Sequence, residues 1–266
     1  MNDDAIRAMA KQLISIPGVD AVTLGGSRVR GTHRADSDWD LGVYYRRSEL
    51  DLGALSSLAA EVNGSPVELA GPGEWGPWVD GGAWLSVDGV AVDWILRDLD
   101  RVRRIRADCR AGRYEVGVQP GHPLGFWSPA YAGEVALGRV LADRTGELTS
   151  LQAQTLVYPE PLRTALVEAA WEADFSVAAA RKSVRSGDGL HVSLCLSRAF
   201  GILAQTLHAH ERVWCINEKG ALAAAAALRS APRNLTDRTH AALTSLDAPA
   251  VEAAAELVRE VRSATA

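Results

Sequence analysis

The chain has 266 residues, which is room for one large domain or two ordinary ones. Hydrophobic residues make up 47% and charged residues 23%, a balance that excludes a disordered chain and a fibrous one. The 28 lysines and arginines against 33 aspartates and glutamates give a net charge of −5, so the composition shows no basic face of the kind that binds duplex nucleic acid.

Three sequence features predict a cytoplasmic protein. No apolar run approaches the roughly 20 residues that cross a bilayer. The N-terminal segment MNDDAIRAMA is acidic where a signal peptide would be basic. The cysteines at positions 109, 195 and 215 are too few and too scattered for a disulfide framework or a zinc site. We expect reduced cysteines and no membrane partner.

The first part of the chain alternates short β-rich runs with glycine-rich turns. Its patterns predict, in order, a helix over Asp3–Ile14, a buried strand over Val19–Leu24, the turn Gly25-Gly26-Ser27, a strand over Asp38–Tyr45, a weaker strand over Val67–Ala70, a hairpin over Trp84–Leu96 turning at Asp88-Gly89, a basic helix over Asp98–Arg110 and a loop over Gln119–Pro129.

The second part is rich in alanine and leucine at helical spacing. The predicted helices cover Leu162–Arg185, Leu190–His210, Glu218–Arg229, Thr236–Ser245 and Ala250–Arg262. We therefore expect an α/β domain over residues 1–150 and a helical domain over residues 151–266, joined between residues 145 and 160.

The segment from Gly25 to Tyr45 carries most of the functional signal. A Gly-Ser turn after a strand exposes backbone N–H groups and a hydroxyl, which suits a phosphate. Asp38 and Asp40 then share one face of a strand whose other face is apolar. Two such carboxylates repel each other unless a cation lies between them, and oxygen ligands of this kind suit magnesium. The ordinary alternative for an Asp-x-Asp pair is a solvated strand edge.

A third acid would complete such a site. Asp93 stands among apolar neighbours in the predicted strand Val90–Leu96, and we favour it. The competing residues are Asp88, which fits a plain turn, and Glu68 on the weaker strand. The alternative for Asp93 itself is an edge-strand acid that points to solvent.

The combination of Gly26-Ser27, Asp38-x-Asp40 and a strand-borne Asp93 resembles the nucleotidyltransferase superfamily of DNA polymerase β, over roughly residues 18–100. The stretch from Ser27 through Leu41 is similar to the minimal bacterial nucleotidyltransferases. The resemblance implies an α+β fold whose N-terminal α/β domain has a mixed β-sheet and precedes a C-terminal helical bundle. It also implies two magnesium ions and a nucleoside triphosphate such as ATP. The residues that it assigns are Gly26, Ser27, Arg30 and Ser37 to nucleotide binding, and Asp38, Asp40 and Asp93 to the metal and to catalysis.

The helical part has a fainter likeness, from Asp188 to Arg198 and at Glu218-Lys219, to the streptomycin and spectinomycin adenylyltransferases. By position, the resemblance implies that Arg198 and Lys219 reach the triphosphate and that Asp188 touches the substrate. The stretch between Arg198 and Lys219 is longer here than in those enzymes. The alternatives are an Arg198 that lies along a core helix and an Asp188 that serves as a turn or helix N-cap.

Some other residues leave two interpretations open. Five of them either line a substrate pocket or form an apolar plug: His122, Phe126, Trp127, Trp75 and Trp78. A structural role is expected for four other residues. Glu168 and Glu172 would form a solvated helical stripe, and His208 and His210 face different ways on one helix, unlike a metal pair.

The resemblance, together with the predicted metal–phosphate site, implies a magnesium-dependent nucleotidyltransferase that moves AMP from ATP onto a hydroxyl of a small molecule, for example one similar to an aminoglycoside. The missing GxxxxGK loop argues against a P-loop ATPase. Two alternatives stay open: an antitoxin-like modifier of a protein or RNA partner, and a non-catalytic nucleotide-binding or interaction module. The acidic balance disfavours a nucleic-acid partner.

Overall fold

The structure is a computed structural model that describes residues 1–31, 33–34 and 37–266. It divides into two compact units. Unit 1 consists of residues Met1–Ala107 and Glu115–Val157, and unit 2 of residues Asp108–Tyr114 and Tyr158–Ala266.

Unit 1 is built on a five-stranded mixed sheet with a separate two-stranded sheet. The strands among the described residues are β1 (Val19–Leu24), β2 (Trp39–Tyr45), β3 (Gly82–Val87), β4 (Val90–Asp98), β5 (Val116–Gln119), β6 (His122–Trp127) and β7 (Arg139–Asp143). The larger sheet has the order β3-β4-β2-β1-β7, and only its β2–β4 pair is parallel among the described strands. The predicted mixed sheet is confirmed.

The helices of unit 1 are α1 (Asp3–Leu13), α2 (Gly26–Val29), α3 (Leu52–Asn63), α4 (Leu99–Arg110), α5 (Ala130–Leu137) and α6 (Glu147–Thr155), with the last residues of α4 belonging to unit 2. In α1, the Asn2 side chain accepts a hydrogen bond from the backbone N–H of Ala5 and caps the helix. Its apolar face buries Ile6, Met9 and Leu13, which recur at helical spacing. The predicted helix over Asp3–Ile14 is confirmed to within one residue.

One core fills the space between the sheet and helices α1 and α3. The apolar side chains of β2 and β4, among them Leu41, Val43, Trp94 and Leu96, are fully buried in it. Because side chains alternate along a strand, Asp40 and Asp93 project from the opposite face of the sheet. The core therefore holds rigid the two strands that carry these acids.

Sequence patterns predicted the hairpin correctly but misread two other segments of unit 1. Asp88 and Gly89 adopt positive φ angles of 52° and 75°, as a tight two-residue hairpin turn between β3 and β4 requires. The strand predicted over Val67–Ala70 is wrong, because only Ala70 makes an isolated bridge, with Gly82. The loop predicted over Gln119–Pro129 is also wrong, since β5 and β6 pair there as a hairpin.

Unit 2 is helical, as predicted. Its helices, besides the end of α4, are α7 (Glu160–Glu168), α8 (Trp171–Ser186), α9 (Gly189–His210), α10 (Ala221–Ala226), α11 (Leu235–Ser245) and α12 (Ala248–Thr265). The single helix predicted over Leu162–Arg185 is instead α7 and α8. The helix predicted over Glu218–Arg229 is shorter, because Gly220 adopts φ 79° immediately before α10.

Helix α9 is the one described helix long and apolar enough to cross a membrane by length and composition. The sequence analysis predicts no apolar run of this length. Half of its 18-residue apolar stretch is buried inside the protein, and the helix packs against its neighbours α7, α8 and α10. Core helices meet the same criterion, so this is weak evidence for a membrane span.

Candidate active site

Asp40 on β2 and Asp93 on β4 are direct neighbours across the parallel strand pair. In-register residues of paired strands project from the same face of the sheet, so the two carboxyl groups lie on one side. Both residues are half-buried. Asp38, which precedes the first residue of β2, is exposed.

The Gly-Ser segment lies directly beside Asp40. The backbone N–H of Gly25 donates to the carbonyl oxygen of Asp40 at 2.8 Å. A Cβ atom on Gly26 would stand 1.7 Å from Asp40 Oδ2, so only glycine lets the carboxylate lie against this turn. The segment forms the short helix α2 rather than a plain turn, and its N-cap residue, Gly25, has no side chain that could cap it. The start of α2, which contains Ser27, therefore lies next to the Asp40 carboxylate.

The acids repel one another. The pKa of Asp93 is raised from 3.8 to about 6, first by burial, then by the negative charges of Asp40 and Asp38. A carboxyl group with a pKa near neutrality can take up and release protons at physiological pH, as a general base must.

Among the described residues, no group of three or more His, Cys, Asp or Glu side chains is arranged to hold a metal ion on its own. The residues nevertheless fit magnesium, because their mutual repulsion shows an excess of negative charge that a divalent cation would relieve. Magnesium is typically held by one or two carboxylates, with water and substrate phosphates completing its shell. Asp40 and Asp93, with Asp38 beside them, would supply those carboxylates, and the metal role of all three stays a prediction.

Arg28 was given no role from the sequence, yet it connects α2 to the residues before β2. Its Nε atom donates to the carbonyl oxygen of Asp38 at 3.0 Å, and its Nη2 atom donates to the carbonyl oxygen of Ser37. Its guanidinium carbon lies 4.1 Å from the ring centroid of Trp39. Arg28 thus positions the backbone that presents Asp38. The Ser-Arg-Val-Arg motif contained the residue but no signal that distinguished it from Arg30.

The two other residues predicted for nucleotide binding lie close to the same turn. Arg30 is exposed, and its Nε atom donates to the carbonyl oxygen of Gly26 at 3.2 Å. The Ser37 hydroxyl accepts a hydrogen bond from the backbone N–H of Arg34 at 2.9 Å. The motif also runs through Thr32, Ala35 and Asp36, which lie outside the described residues. Contact of Arg30 or Ser37 with a nucleotide stays a prediction.

Comparison with known proteins gives a match at this site. The family model described as a nucleotidyltransferase domain matches residues 6–79, a range that contains α2 and β2 with Asp38 and Asp40. Residues 6–79 therefore match a nucleotidyltransferase domain, which supports the resemblance to the DNA polymerase β-like superfamily. Asp93, the predicted third acid, lies beyond the matched range.

Further comparisons concern the rest of the chain. A family model described as a domain of unknown function (DUF4037) matches residues 132–219. No curated protein matches the chain. Among solved structures, a nucleotidyltransferase-like protein from Exiguobacterium sibiricum 255-15 is similar, with 12% sequence identity and a TM-score of 0.46, covering 98% of this chain and 74% of that one.

The unit 2 residues predicted to bind substrates have structural partners. Arg198 Nε donates to Glu172 Oε1 at 2.7 Å, so Glu172 is one half of an ion pair and not part of a solvated stripe. Glu168 ends α7 while Glu172 belongs to α8, so the two do not share a helix. Asp188 caps α9 by accepting from the backbone N–H of His191, which is the structural alternative weighed above.

Lys219 is exposed and precedes α10, so the expected position in the first turn of a helix is wrong. Its backbone N–H donates to Asn217 Oδ1 at 3.0 Å. The predicted nucleotide contacts of Arg198 and Lys219, and the substrate contact of Asp188, stay predictions. His208 is buried with its Nδ1 atom 2.7 Å from the carbonyl oxygen of Ala204, as in an ordinary core histidine.

The structure also shows where the competing acids and the aromatic residues of unit 1 lie. Asp88 occupies the hairpin turn, and Glu68 lies outside any strand. The aromatic residues form stacked pairs within unit 1: Trp75 with Trp84 at 4.4 Å and Trp78 with Phe126 at 5.8 Å between ring centroids, with His122 edge-on to Phe126 at 5.2 Å. Trp127 is buried.

Proposed function

We propose that this nucleotidyltransferase transfers AMP from ATP, with magnesium, to a hydroxyl group of a small molecule. The observation that carries the proposal is the pairing of Asp40 with Asp93 on parallel strands, directly beside the N-terminus of α2. Carboxylates next to the backbone N–H groups of a helix N-terminus suit a metal-bound triphosphate.

The residues of the chain divide the work of the transfer. The N–H groups at the start of α2, with the Ser27 hydroxyl, would hold the terminal phosphates, and Asp38 and Asp40 would hold magnesium. The bound metal would supply charge neutralisation on the phosphates. Asp93 would take the proton from the attacking hydroxyl as the new bond to the α-phosphorus forms, the bond to the bridging oxygen breaks, and pyrophosphate leaves.

The acceptor is proposed from charge. A chain with a net charge of −5 attracts a cationic small molecule, such as one similar to an aminoglycoside, in preference to a polyanion such as RNA. Arg198 and Lys219 are proposed as additional triphosphate contacts from unit 2. A side chain of a partner protein is the other acceptor class with the required hydroxyl.

The test is pyrophosphate release from each of the four nucleoside triphosphates with magnesium, against aminoglycosides, other hydroxylated metabolites and the protein alone. We expect release from ATP that depends on one acceptor and falls at least 100-fold in Asp40→Asn and in Asp93→Asn, since each removes a charge that the reaction requires. The matched control is Asp88→Asn, which makes the same change in the exposed turn of the β3–β4 hairpin and should keep full activity.

Equal activity of Asp40→Asn and Asp88→Asn would overturn the assignment of the site. If no acceptor supports pyrophosphate release while ATP still binds with magnesium, the acceptor is a macromolecule. Absence of both release and nucleotide binding would overturn the proposed function.

A further inference from the structure

A cavity of about 220 Å³ lies in unit 1 on the other side of β2 from the acids. Its apolar wall consists of Leu24, Val29 and Trp39. Trp39 and Asp40 are consecutive residues of β2 and project from opposite faces of the sheet, so this cavity is separate from the candidate active site. At about 30 Å³ per water molecule, it has room for about seven waters or for one small organic molecule.

Positive charge predominates in the cavity lining. Arg28, Arg139 and His33 line it together with a single acid, Asp3. Arg139 Nη1 lies 2.9 Å from Asp3 Oδ2, which leaves Arg28 without an acid among the other lining residues. A lining with two guanidinium groups and one carboxylate attracts an anion.

The remaining edge of Arg139 is unusual. Its Nε and Nη2 atoms are buried and have no hydrogen-bond partner among the described residues. Leaving buried donors unpaired costs about 1–3 kcal/mol each, and more for a charged group. These two nitrogens form the planar fork that binds a carboxylate or phosphate through two parallel hydrogen bonds. Arg139 lines the cavity, and we expect rotation about its terminal side-chain torsions to bring this fork to an anion bound there.

Arg28 provides a second anchor. Its Nε and Nη2 atoms are used by the carbonyl oxygens of Asp38 and Ser37, and its Nη1 atom donates to no described residue. The guanidinium is already fixed in place by stacking on Trp39, so little side-chain entropy is lost when it binds a ligand.

We propose that this cavity is a binding site for a small organic anion, with a phosphate or carboxylate group held by Arg139 and Arg28 and an apolar body against Leu24, Val29 and Trp39. A ligand bound to Arg28 would contact the same side chain that donates to the carbonyl oxygens of Ser37 and Asp38. The site is therefore suited to an effector rather than to the nucleotide.

Calorimetric titration of the full chain at low salt, without nucleotide, tests the proposal with phenyl phosphate and benzoate as probes. We expect at least one probe to bind with a millimolar or lower Kd, and the ratio of the two Kd values distinguishes a phosphate from a carboxylate ligand. Arg139→Gln should weaken binding at least tenfold, while Asp3→Asn, which removes the competing carboxylate, should tighten it several-fold. Arg104→Gln is the matched control, since Arg104 is exposed on α4 and outside the cavity.

Two further measurements separate weaker anion binding from lost stability and from competition with ATP. If Arg139→Gln has a lowered melting temperature, Arg139→Lys keeps the charge without the planar fork and should still weaken binding. Saturating ATP should leave probe affinity within about twofold. The proposal is wrong if neither probe binds, if Arg139→Gln and Arg104→Gln behave alike, or if ATP displaces the probe competitively. Because binding is measured directly, failure here is independent of any result on nucleotidyl transfer.

Discussion

Replacing Asp93 by asparagine should stabilise the metal-free protein at neutral pH while abolishing its activity. The folded protein holds the Asp93 carboxyl at a pKa of about 6, against 3.8 in the unfolded chain. Below about pH 4 the group is protonated in both states, so it makes no difference to the free energy of unfolding. As the pH rises from about 4 to about 6, the unfolded chain releases the proton and the folded protein keeps it, so stability falls. Above about pH 6 the full cost remains.

The magnitude follows from the two pKa values. At about 1.4 kcal/mol for each pH unit, their difference corresponds to about 3 kcal/mol. Asp93 is only half-buried, and solvent screening lowers the expected gain of Asp93→Asn to about 2 kcal/mol at pH 7.5. Asparagine has the size of aspartate, so the substitution leaves no cavity that would offset the gain.

The assay is thermal unfolding in EDTA between pH 4 and pH 8. We expect the melting temperature of Asp93→Asn to exceed that of the wild type by several degrees at pH 7.5 and to equal it near pH 4. Asp88→Asn, in the exposed hairpin turn, should follow the wild type throughout. A gain that does not depend on pH, or a loss of stability at pH 7.5, would refute the inference that the three acids repel one another.

Two further predictions concern the glycine beside the site and a buried ion pair. Gly26→Ala should lower nucleotidyl transfer at least 100-fold, because its Cβ would displace the Asp40 carboxylate. The control is Gly31→Ala, where φ is a similar 69° and no atom of the described residues lies within 4 Å of the added Cβ, so only the strain of about 1 kcal/mol is expected. Equal activity of the two variants would contradict the close approach of Gly26 and Asp40. Arg97→Met should lower the free energy of unfolding by about 3 kcal/mol in urea titrations, because it leaves the Glu134 carboxylate without its partner. The two Glu134 oxygens accept hydrogen bonds from Arg97 at 2.6 and 2.8 Å. A loss below about 1 kcal/mol would show that solvent compensates the carboxylate.

Local patterns predicted the segments where one physical signal dominates. The strict alternation of Trp39, Leu41 and Val43 with polar or small residues placed β2 correctly, and the Asp88-Gly89 turn placed the hairpin. The adjacency of Asp40 and Asp93 was not readable from either strand alone, because a parallel pair is joined by a crossover and its register depends on the whole core.

The mistakes arose where local and tertiary preferences disagree. Proline and glycine in residues 119–129 are typical of a loop, yet β5 and β6 pair there, and Phe126 of β6 stacks on Trp78. Nothing in the alanine-rich stretch around Ala169 and Ala170 marks the break between α7 and α8, since neither glycine nor proline interrupts the helical period. Helix α3 was not predicted either, although Asp51 caps it by accepting from the backbone N–H of Ala54.

The last strand of the large sheet bears on how the chain can be shortened. β7 covers the outer edge of β1, pairing Arg139 with Leu24 and Asp143 with Ala21, although it lies far along the chain from β1. A fragment ending at residue 79, where the match to the nucleotidyltransferase family model stops, would lack β4 with Asp93 and would leave both edges of the β1–β2 pair unprotected. Exposed apolar strand edges recruit further strands from other molecules, so such a fragment should self-associate, and a soluble shortened form must extend at least through Asp143.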